Sequence, residues 1–323
     1  MCPVNPPSYR ATVSALAVNK DQRAMTPADV ERLKQAHGQF LALIQTNQMD
    51  ASNRDPARFV DVSADPAGVP MYVASGAAAT TSLPETPGGE RNWDYRFSWL
   101  RDATFTLQAF LVAGFTHEAR AWAQWLRRAV AGSPGDFQIL YGVGGERRLP
   151  ELVLDWLPGF ERSAPVRIGN AASGQFQLDV FGEVMDAAAT ARRAGMLPAG
   201  SDVLDVERAL MQHLEGVWNE PDDGIWEVRG PRRHFTHSKV MAWVAFDRAV
   251  RMAGPEGPGR TSLTDRAEHW ATLRDQVHAQ VCEQGWNDQI GAFTQFYGSD
   301  RLDASLLMVL PVGFLSPDDP RAA

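Results

Sequence analysis

The segment ERNWDYRFSWLRD (residues 90–102) runs directly into the apolar stretch ATFTLQAFLVAGF (residues 103–115). The second stretch predicts a helix, whereas the first crowds four aromatic rings among three arginines and three acids. Arg and Asp are rarely buried unless they are paired, so a hydrophobic core does not require this mixture. Flat rings and fixed charges together suit a site that binds a polar, ring-shaped ligand. The two stretches therefore predict a binding loop at the start of a helix.

Apolar residues at helical spacing recur along the chain and predict about eight helices joined by long polar connections. A helix is predicted from His237 to Met252, and a strongly apolar one from Leu302 to Leu310. Strand signals are few and short, with one at Phe137–Tyr141. This pattern predicts an all-α fold of helical hairpins that presents a site at the helix ends. The clearest apolar stripes are Phe181, Val184, Met185 and Ala188, and then Trp270, Leu273, Val277 and Val281.

The composition is that of a globular protein, with 323 residues of which 44% are hydrophobic and 22% charged. A net charge of −8 argues against a nucleic-acid partner, and no apolar run approaches a membrane span. The first residues lack a secretory signal pattern, and Cys2 and Cys282 are interpreted as free thiols, so we expect a cytoplasmic protein. His234 and His237 lack a third ligand and are interpreted as polar loop residues. Neither a metal nor a cofactor is predicted.

The segment Trp226-Glu-Val-Arg229 places a carboxyl group beside an indole. An apolar neighbour disfavours the charged form and raises the pKa of a carboxyl group. Such a group keeps its proton near neutral pH, as a general acid for glycoside cleavage must. Spacing alone nevertheless favours the plainer interpretation, an exposed Glu227 paired with Arg229 on a turn.

Arg101 and Asp102 stand at the start of the predicted helix and allow two interpretations equally. In one, Asp102 complements the positive end of the helix dipole. In the other, the pair grips adjacent sugar hydroxyls through charge-assisted hydrogen bonds, and Tyr95 and Trp99 supply stacking surfaces nearby.

Four long motifs, taken together and in order, resemble the glucoamylase-type glycoside hydrolases of family 15, in particular the bacterial branch that includes trehalases. The resemblance covers residues 80–321 almost continuously. The motifs are ATTSLPETPGGERNWDYRFSWLRDATFTL, PVRIGNAASGQFQLDVFGEVMDA, GIWEVRGPRRHFTHSKVMAWVAFDRA and QFYGSDRLDASLLMVLPVGFLSPDDPR.

The resemblance implies an (α/α)6 barrel, with helices in two concentric rings and the sugar site in the loops at one end. It also implies inverting cleavage of α-glucosidic bonds from the non-reducing end, with release of glucose. The general acid would be Glu227. The residues that would bind the terminal glucose are Tyr95, Trp99, Arg101 and Asp102, with Trp226 beside the acid.

Two departures from the family pattern shape the expectation. Residues 1–79 are too short and strand-poor for the family's β-rich domain, so we expect an N-terminal helical and loop segment there and a partial catalytic domain over 80–323. About eight of the barrel's twelve helices are expected. Nothing in the sequence matches the family's general base, a Glu in a later loop, although Glu146, Glu151 and Asp300 are possible substitutes.

The sequence therefore predicts an exo-acting, inverting α-glucosidase-type hydrolase, whose substrate is a malto-oligosaccharide, trehalose or a similar α-linked glucoside. The alternative is a truncated or non-catalytic relative that binds α-glucosides and lacks the general base. The motifs leave open whether the natural bond is α-1,4, α-1,6 or α,α-1,1.

Overall fold

Long α-helices dominate the computed structural model, which describes residues 84–113, 125–126, 135, 137–196, 201–254 and 263–322. The prediction of a mostly helical chain is therefore confirmed for these ranges. Closure into an (α/α)6 barrel, with about eight of twelve helices present, stays a prediction. The helices are α1 (Leu100–Ala113), α2 (Asp179–Arg193), α3 (Ser201–Val217), α4 (Thr236–Ala253) and α5 (Thr264–Gln284).

Helices α2 and α5 bury the stripes that the sequence predicts. Each carries one apolar face at intervals of three and four residues, and the four members of each predicted stripe are buried. Helix α4 differs because nearly all of its side chains are buried, and it packs against both α2 and α5. A helix that is buried all round lies inside a protein rather than at its surface. Helix α4 is therefore the centre of the described core.

Helices α2 and α4 approach each other closely at Gly182. A Cβ atom built on Gly182 would lie 2.2 Å from the carbonyl oxygen of Met241, a backbone atom of α4. No side chain fits at that distance, so the absence of one allows the two backbones to pack together.

Short antiparallel strand pairs join the helices. Strand β1 (Ser98–Trp99) pairs with β2 (Leu140–Tyr141), with Trp99 opposite Leu140. The predicted strand at Phe137–Tyr141 is thus confirmed only in its last two residues. Because β1 leads directly into α1, this pairing fixes the start of the helix. The other pairs, which the sequence did not predict, are β3 (Leu152–Leu154) with β4 (Val166–Ile168) and β5 (Trp286–Asn287) with β6 (Ala292–Phe293).

The predicted helix from Leu302 to Leu310 is wrong. Only Ala304–Met308 is helical, and it forms a 3-10 turn that begins where the Asp303 side chain accepts the backbone N–H of Ser305. Pro311 follows shortly afterwards, and proline restricts the residue before it and removes a backbone donor. The apolar composition of this segment therefore does not extend the helix.

Some predictions fall outside the described residues, including the domain boundary near residue 79 and the state of Cys2. Cys282 is a free thiol. Over the described ranges, no helix is long and apolar enough to cross a membrane.

Gly182→Ala is expected to lower the free energy of unfolding by about 1–3 kcal/mol, because the added methyl group collides with a backbone oxygen of α4. Urea denaturation measures this change. The matched control is Gly216→Ala in α3, where a Cβ meets nothing within 4 Å. Because alanine is the better helix former, this control is expected to gain up to about 1 kcal/mol. Equal stability of the two variants would contradict the close approach.

Candidate active site

Glu227 lies in the loop between α3 and α4, and its carboxyl group is held by Trp99, the last residue of β1, and by Arg101 in the first turn of α1. The indole N–H of Trp99 donates a hydrogen bond of 2.7 Å to Oε1 of Glu227. The guanidinium of Arg101 lies 3.8 Å from the same oxygen and donates to the carbonyl of Ile225 at 2.9 Å. The side chain of Glu227 is only 23% exposed. The interpretation of Glu227 as an exposed partner of Arg229 is therefore wrong.

Arg229 instead forms an ion pair with Glu151. Its guanidinium donates two hydrogen bonds, of 3.2 and 2.7 Å, to the two carboxylate oxygens of Glu151. Arg229 and Arg167 also lie over the ring of Trp93, at 4.1 and 4.4 Å from its centroid. Burial raises the pKa of Glu151, but the hydrogen bonds from Arg229 and Ala171 and the charges of Arg229 and Arg167 bring it below its usual value. Glu151 is thus a bound carboxylate.

An unusual backbone conformation accompanies the placement of the Glu227 carboxyl group next to Trp99. Glu227 has a φ of 55°, in the left-handed region that residues other than glycine rarely adopt. Its N–H donates to the carbonyl of Gly224 at 3.1 Å, which closes a tight turn. Gly224 also has a positive φ, and a Cβ there would lie 2.6 Å from the ring of Phe235. Strained backbone of this kind persists only where the surroundings fix it.

The electrostatic surroundings favour the protonated form of Glu227. Burial raises the pKa of this carboxyl group, the charge of Arg101 and the Trp99 hydrogen bond lower it, and the charges of Asp102 and Asp179 raise it. The net effect is a raised pKa. A partly accessible carboxyl group that keeps its proton to higher pH has the property that a general acid needs.

Among the residues that the structure describes, buried polar atoms without hydrogen-bond partners lie near Arg101, and one of them, Asp102 Oδ2, is 3.5 Å from its guanidinium. Asp102 Oδ2, Asp179 Oδ1 and His237 Nδ1 are buried and have no hydrogen-bond partner within the described part of the chain. Buried polar atoms are normally satisfied, so such atoms are available to the hydroxyls of a ligand. Burial lowers the pKa of His237 and favours its neutral form. The interpretation of His237 as a loop residue is wrong, because it lies buried in the first turn of α4.

Tyr95 and Trp226 complete the set of predicted site residues. The rings of Tyr95 and Trp99 have centroids 5.7 Å apart, and burial together with the charges of Glu85 and Glu227 raises the pKa of the Tyr95 hydroxyl. Trp226 is 55% exposed, and its indole N–H lies 2.9 Å from each carboxylate oxygen of Asp303. The structure thus brings Tyr95, Trp99, Arg101 and Asp102 into the surroundings of Glu227, with Trp226 next to it in sequence.

Sequence reasoning missed the acids that support these residues. Asp179 and Asp303 both stand inside the long motifs, so a signal was present, but spacing does not tell which acid keeps an oxygen without a described hydrogen-bond partner and which accepts an indole N–H. No cluster of three His, Cys, Asp or Glu side chains in the described ranges suits a metal ion.

Comparisons with known proteins place these features in context. A family model described as glycosyl hydrolases family 15 matches residues 71–323. A trehalase of Mycobacterium tuberculosis is 44% identical over 249 residues, which are 76% of this chain and 35% of the trehalase. A trehalase of Thermoplasma volcanium is 35% identical over 245 residues, covering 76% of this chain and 38% of the relative. The chain thus spans well under half the length of these curated relatives.

Two solved glycosidase structures resemble this chain in fold. A glycosidase E335A variant in complex with glucose superposes with a TM-score of 0.56 at 17% identity, covering 78% of this chain and 65% of that chain. A wild-type glycosidase gives a TM-score of 0.55, also at 17% identity, with the same coverage of both chains. At this identity the likeness concerns the fold alone.

The indole N–H of Trp99 is expected to report the ionisation of Glu227 in an NMR titration of ¹⁵N-tryptophan-labelled protein. Since the folded-state pKa of Glu227 is raised, the Trp99 signal should change at a pH above the usual glutamate value. The Trp226 signal should change below the usual aspartate value: burial raises the pKa of Asp303, but hydrogen bonds from Ser305, Trp226 and Gln295 bring it lower.

Glu227→Gln provides the control, because it should abolish the titration at Trp99 and leave that at Trp226 intact. A Trp99 midpoint at or below the usual glutamate value would contradict the raised pKa.

Proposed function

The chain belongs to glycosyl hydrolase family 15, and on this premise we propose that it is an α-glucosidase-type hydrolase with Glu227 as its general acid. The observation that carries the proposal is the setting of Glu227, whose carboxyl group is mostly buried, bound by the Trp99 indole and raised in pKa. We further propose that residues 80–323 form part of the catalytic domain.

In the proposed reaction, protonated Glu227 gives its proton to the glycosidic oxygen as the bond between this oxygen and the anomeric carbon breaks. The departing sugar leaves as a neutral alcohol, and Glu227 becomes a carboxylate. The Trp99 N–H and the Arg101 guanidinium already face Oε1, so both stabilise the negative charge that forms. A water molecule attacks the anomeric carbon from the face opposite the leaving group, which inverts the configuration and releases glucose from the non-reducing end. The proton that this water loses passes through solvent to the Glu227 carboxylate and restores the acid.

Recognition of the glucosyl ring is proposed to combine stacking with hydrogen bonds. Tyr95 and Trp226 offer aromatic surfaces for the apolar faces of sugars. The predicted stacking surface at Trp99 is wrong, because this residue is only 2% exposed, and Trp99 acts instead through its N–H on Glu227. Asp102 accepts hydrogen bonds from adjacent hydroxyls, and Arg101, within 3.5 Å of Asp102, donates to them. Asp179 and His237 bring further unpaired polar atoms. The curated relatives are trehalases, which supports trehalose as the first substrate to test.

Glu227→Gln is expected to lower glucose release by roughly 10²–10⁴-fold, because the amide cannot donate the proton. Glucose is measured after incubation with trehalose, maltose, isomaltose and soluble starch. An unchanged melting temperature would show that the fold is kept. Glu283→Gln, at an exposed site on α5, is the control and should retain activity.

Turnover that survives in Glu227→Gln would remove Glu227 from its role. Sugar binding without release by the unsubstituted chain would instead favour the non-catalytic, α-glucoside-binding alternative.

Asp102→Ala is expected to weaken the binding of glucose or trehalose by roughly 10–100-fold, because a hydrogen bond to a charged acceptor is lost. Isothermal calorimetry measures the affinity. Asp275→Ala removes an exposed carboxylate that pairs with Arg274 and should leave the affinity unchanged. Equal affinities for both variants would contradict the role of Asp102.

A further inference from the structure

The loop that carries Glu227 is bonded through Trp226 to Asp303, an acid outside the loop that has no part in the proposed reaction. We name residues 224–229 the acid loop. Its Trp226 donates the indole N–H to both carboxylate oxygens of Asp303, each at 2.9 Å, across 77 residues of sequence. More than half of Trp226 is exposed. No aromatic ring or cation in the described ranges stacks on it, so Asp303 is a principal restraint on the orientation of this side chain.

Asp303 is itself fixed in place before it meets Trp226. Its Oδ1 accepts hydrogen bonds from the backbone N–H and the hydroxyl of Ser305, at 2.8 and 2.7 Å. Its Oδ2 accepts a further one from the side-chain amide of Gln295, at 2.9 Å. An acceptor with this many partners has little freedom to move, and a charged acceptor forms stronger hydrogen bonds than a neutral one. Asp303 is therefore a rigid anchor for the indole.

The anchor matters because of the residue that follows Trp226. Glu227 has a φ of 55°, and the left-handed conformation costs a residue with a side chain about 1–2 kcal/mol. Such a conformation persists only where surrounding contacts fix it, and within the loop Arg101 already holds the Ile225 carbonyl and Trp99 the Glu227 carboxyl group. Asp303 restrains the loop at Trp226, just before Glu227. Glu151 restrains it at Arg229, two residues after Glu227, by accepting two hydrogen bonds.

We propose that Asp303 is a positioning residue, which acts through the indole N–H of Trp226 to hold the acid loop in the conformation that presents Glu227. Its meaning for catalysis rests on the proposed function, whereas its effect on the loop can be measured without any substrate. Two other roles for Asp303 make different predictions. A pure helix cap would act on Ser305 alone, and a direct sugar contact would act independently of Trp226.

Asp303→Asn separates these roles. Asparagine caps a helix about as well as aspartate, so Oδ1 can still serve Ser305. The amide nitrogen replaces Oδ2, so Gln295 loses its acceptor and the Trp226 N–H keeps only Oδ1, now a neutral amide oxygen that accepts a weaker hydrogen bond than a carboxylate. Trp226→Phe removes the indole N–H and keeps an aromatic ring. The double variant completes a cycle that isolates the coupling between the two positions.

The first measurement is amide hydrogen exchange of the acid loop, above all of the Glu227 N–H that is bonded to Gly224. Exchange there is expected to be about tenfold faster in Trp226→Phe, which loses the donor, and faster by a smaller factor in Asp303→Asn, which only weakens the bond. Exchange in the double variant is expected to be no faster than in Trp226→Phe. Asp288→Asn is the matched control, because Asp288 also accepts an indole N–H, from Trp286 at 3.0 Å. It should leave the acid loop unchanged. Unaltered exchange in Trp226→Phe, or additive effects in the double variant, would overturn the proposal.

The second measurement is the hydrolysis of trehalose and maltose by the same four proteins. Displacing the acid without removing a sugar contact should lower kcat about tenfold with a smaller change in KM, and Asp303→Asn should add nothing in the Trp226→Phe background. A rise in KM that persists in that background would identify a direct sugar contact and refute the positioning role. If the unsubstituted chain neither binds nor cleaves these sugars, the proposed function fails, while the exchange data decide the positioning role alone.

Discussion

The hydrogen bond from the Trp99 indole to Glu227 is the interaction on which the rest of the site depends. It joins segments separated by 128 residues, and it holds a carboxyl group that is mostly buried. Each partner is fixed by its own local structure. Trp99 is the last residue of β1, whose pairing with β2 sets where α1 begins. Glu227 stands in a tight turn whose φ angles are unfavourable for most side chains. The fold therefore supports a local arrangement that neither segment would adopt alone.

The unusual polarity of the core follows from the same arrangement. Asp179, Glu183 and His237 are almost fully buried where α2 and α4 begin, and burial raises the pKa of Glu183 well above its usual value. Buried ionisable groups of this kind are costly for stability. A protein keeps them where a ligand supplies the missing partners, or where a neutral form serves a purpose. Their concentration beside Arg101 matches the position of the proposed sugar pocket.

The sequence predicted those features that depend on residues close together in the chain. The apolar stripes of α2 and α5 repeat with helical period because their side chains pack into the core, and the motif around Trp99 and Arg101 contains the residues that the structure brings to Glu227. Contacts between distant segments were beyond it: nothing in the spacing links Trp226 to Asp303 or Arg229 to Glu151. The prediction of an exposed Glu227 paired with Arg229 is wrong because both residues have partners that are distant in sequence. Arg229 pairs with Glu151, and Glu227 accepts the N–H of Trp99. The predicted helix from Leu302 to Leu310 is wrong because the helical turn begins only after Asp303 and Pro311 follows closely. The apolar composition of the segment does not overcome these two limits.

The contact between Gly182 and Met241 reaches beyond packing. Gly182 lies one helical turn after Asp179, and Met241 one turn after His237, so the separation of the two backbones at the glycine also sets the separation of the two polar groups. The absence of a side chain at Gly182 therefore bears on the spacing of two polar groups that belong to the proposed sugar pocket. A methyl group added there would be expected to change this spacing although it lies in the core. Attempts to redesign the substrate range of such a protein should therefore sample the helix crossing as well as the rim.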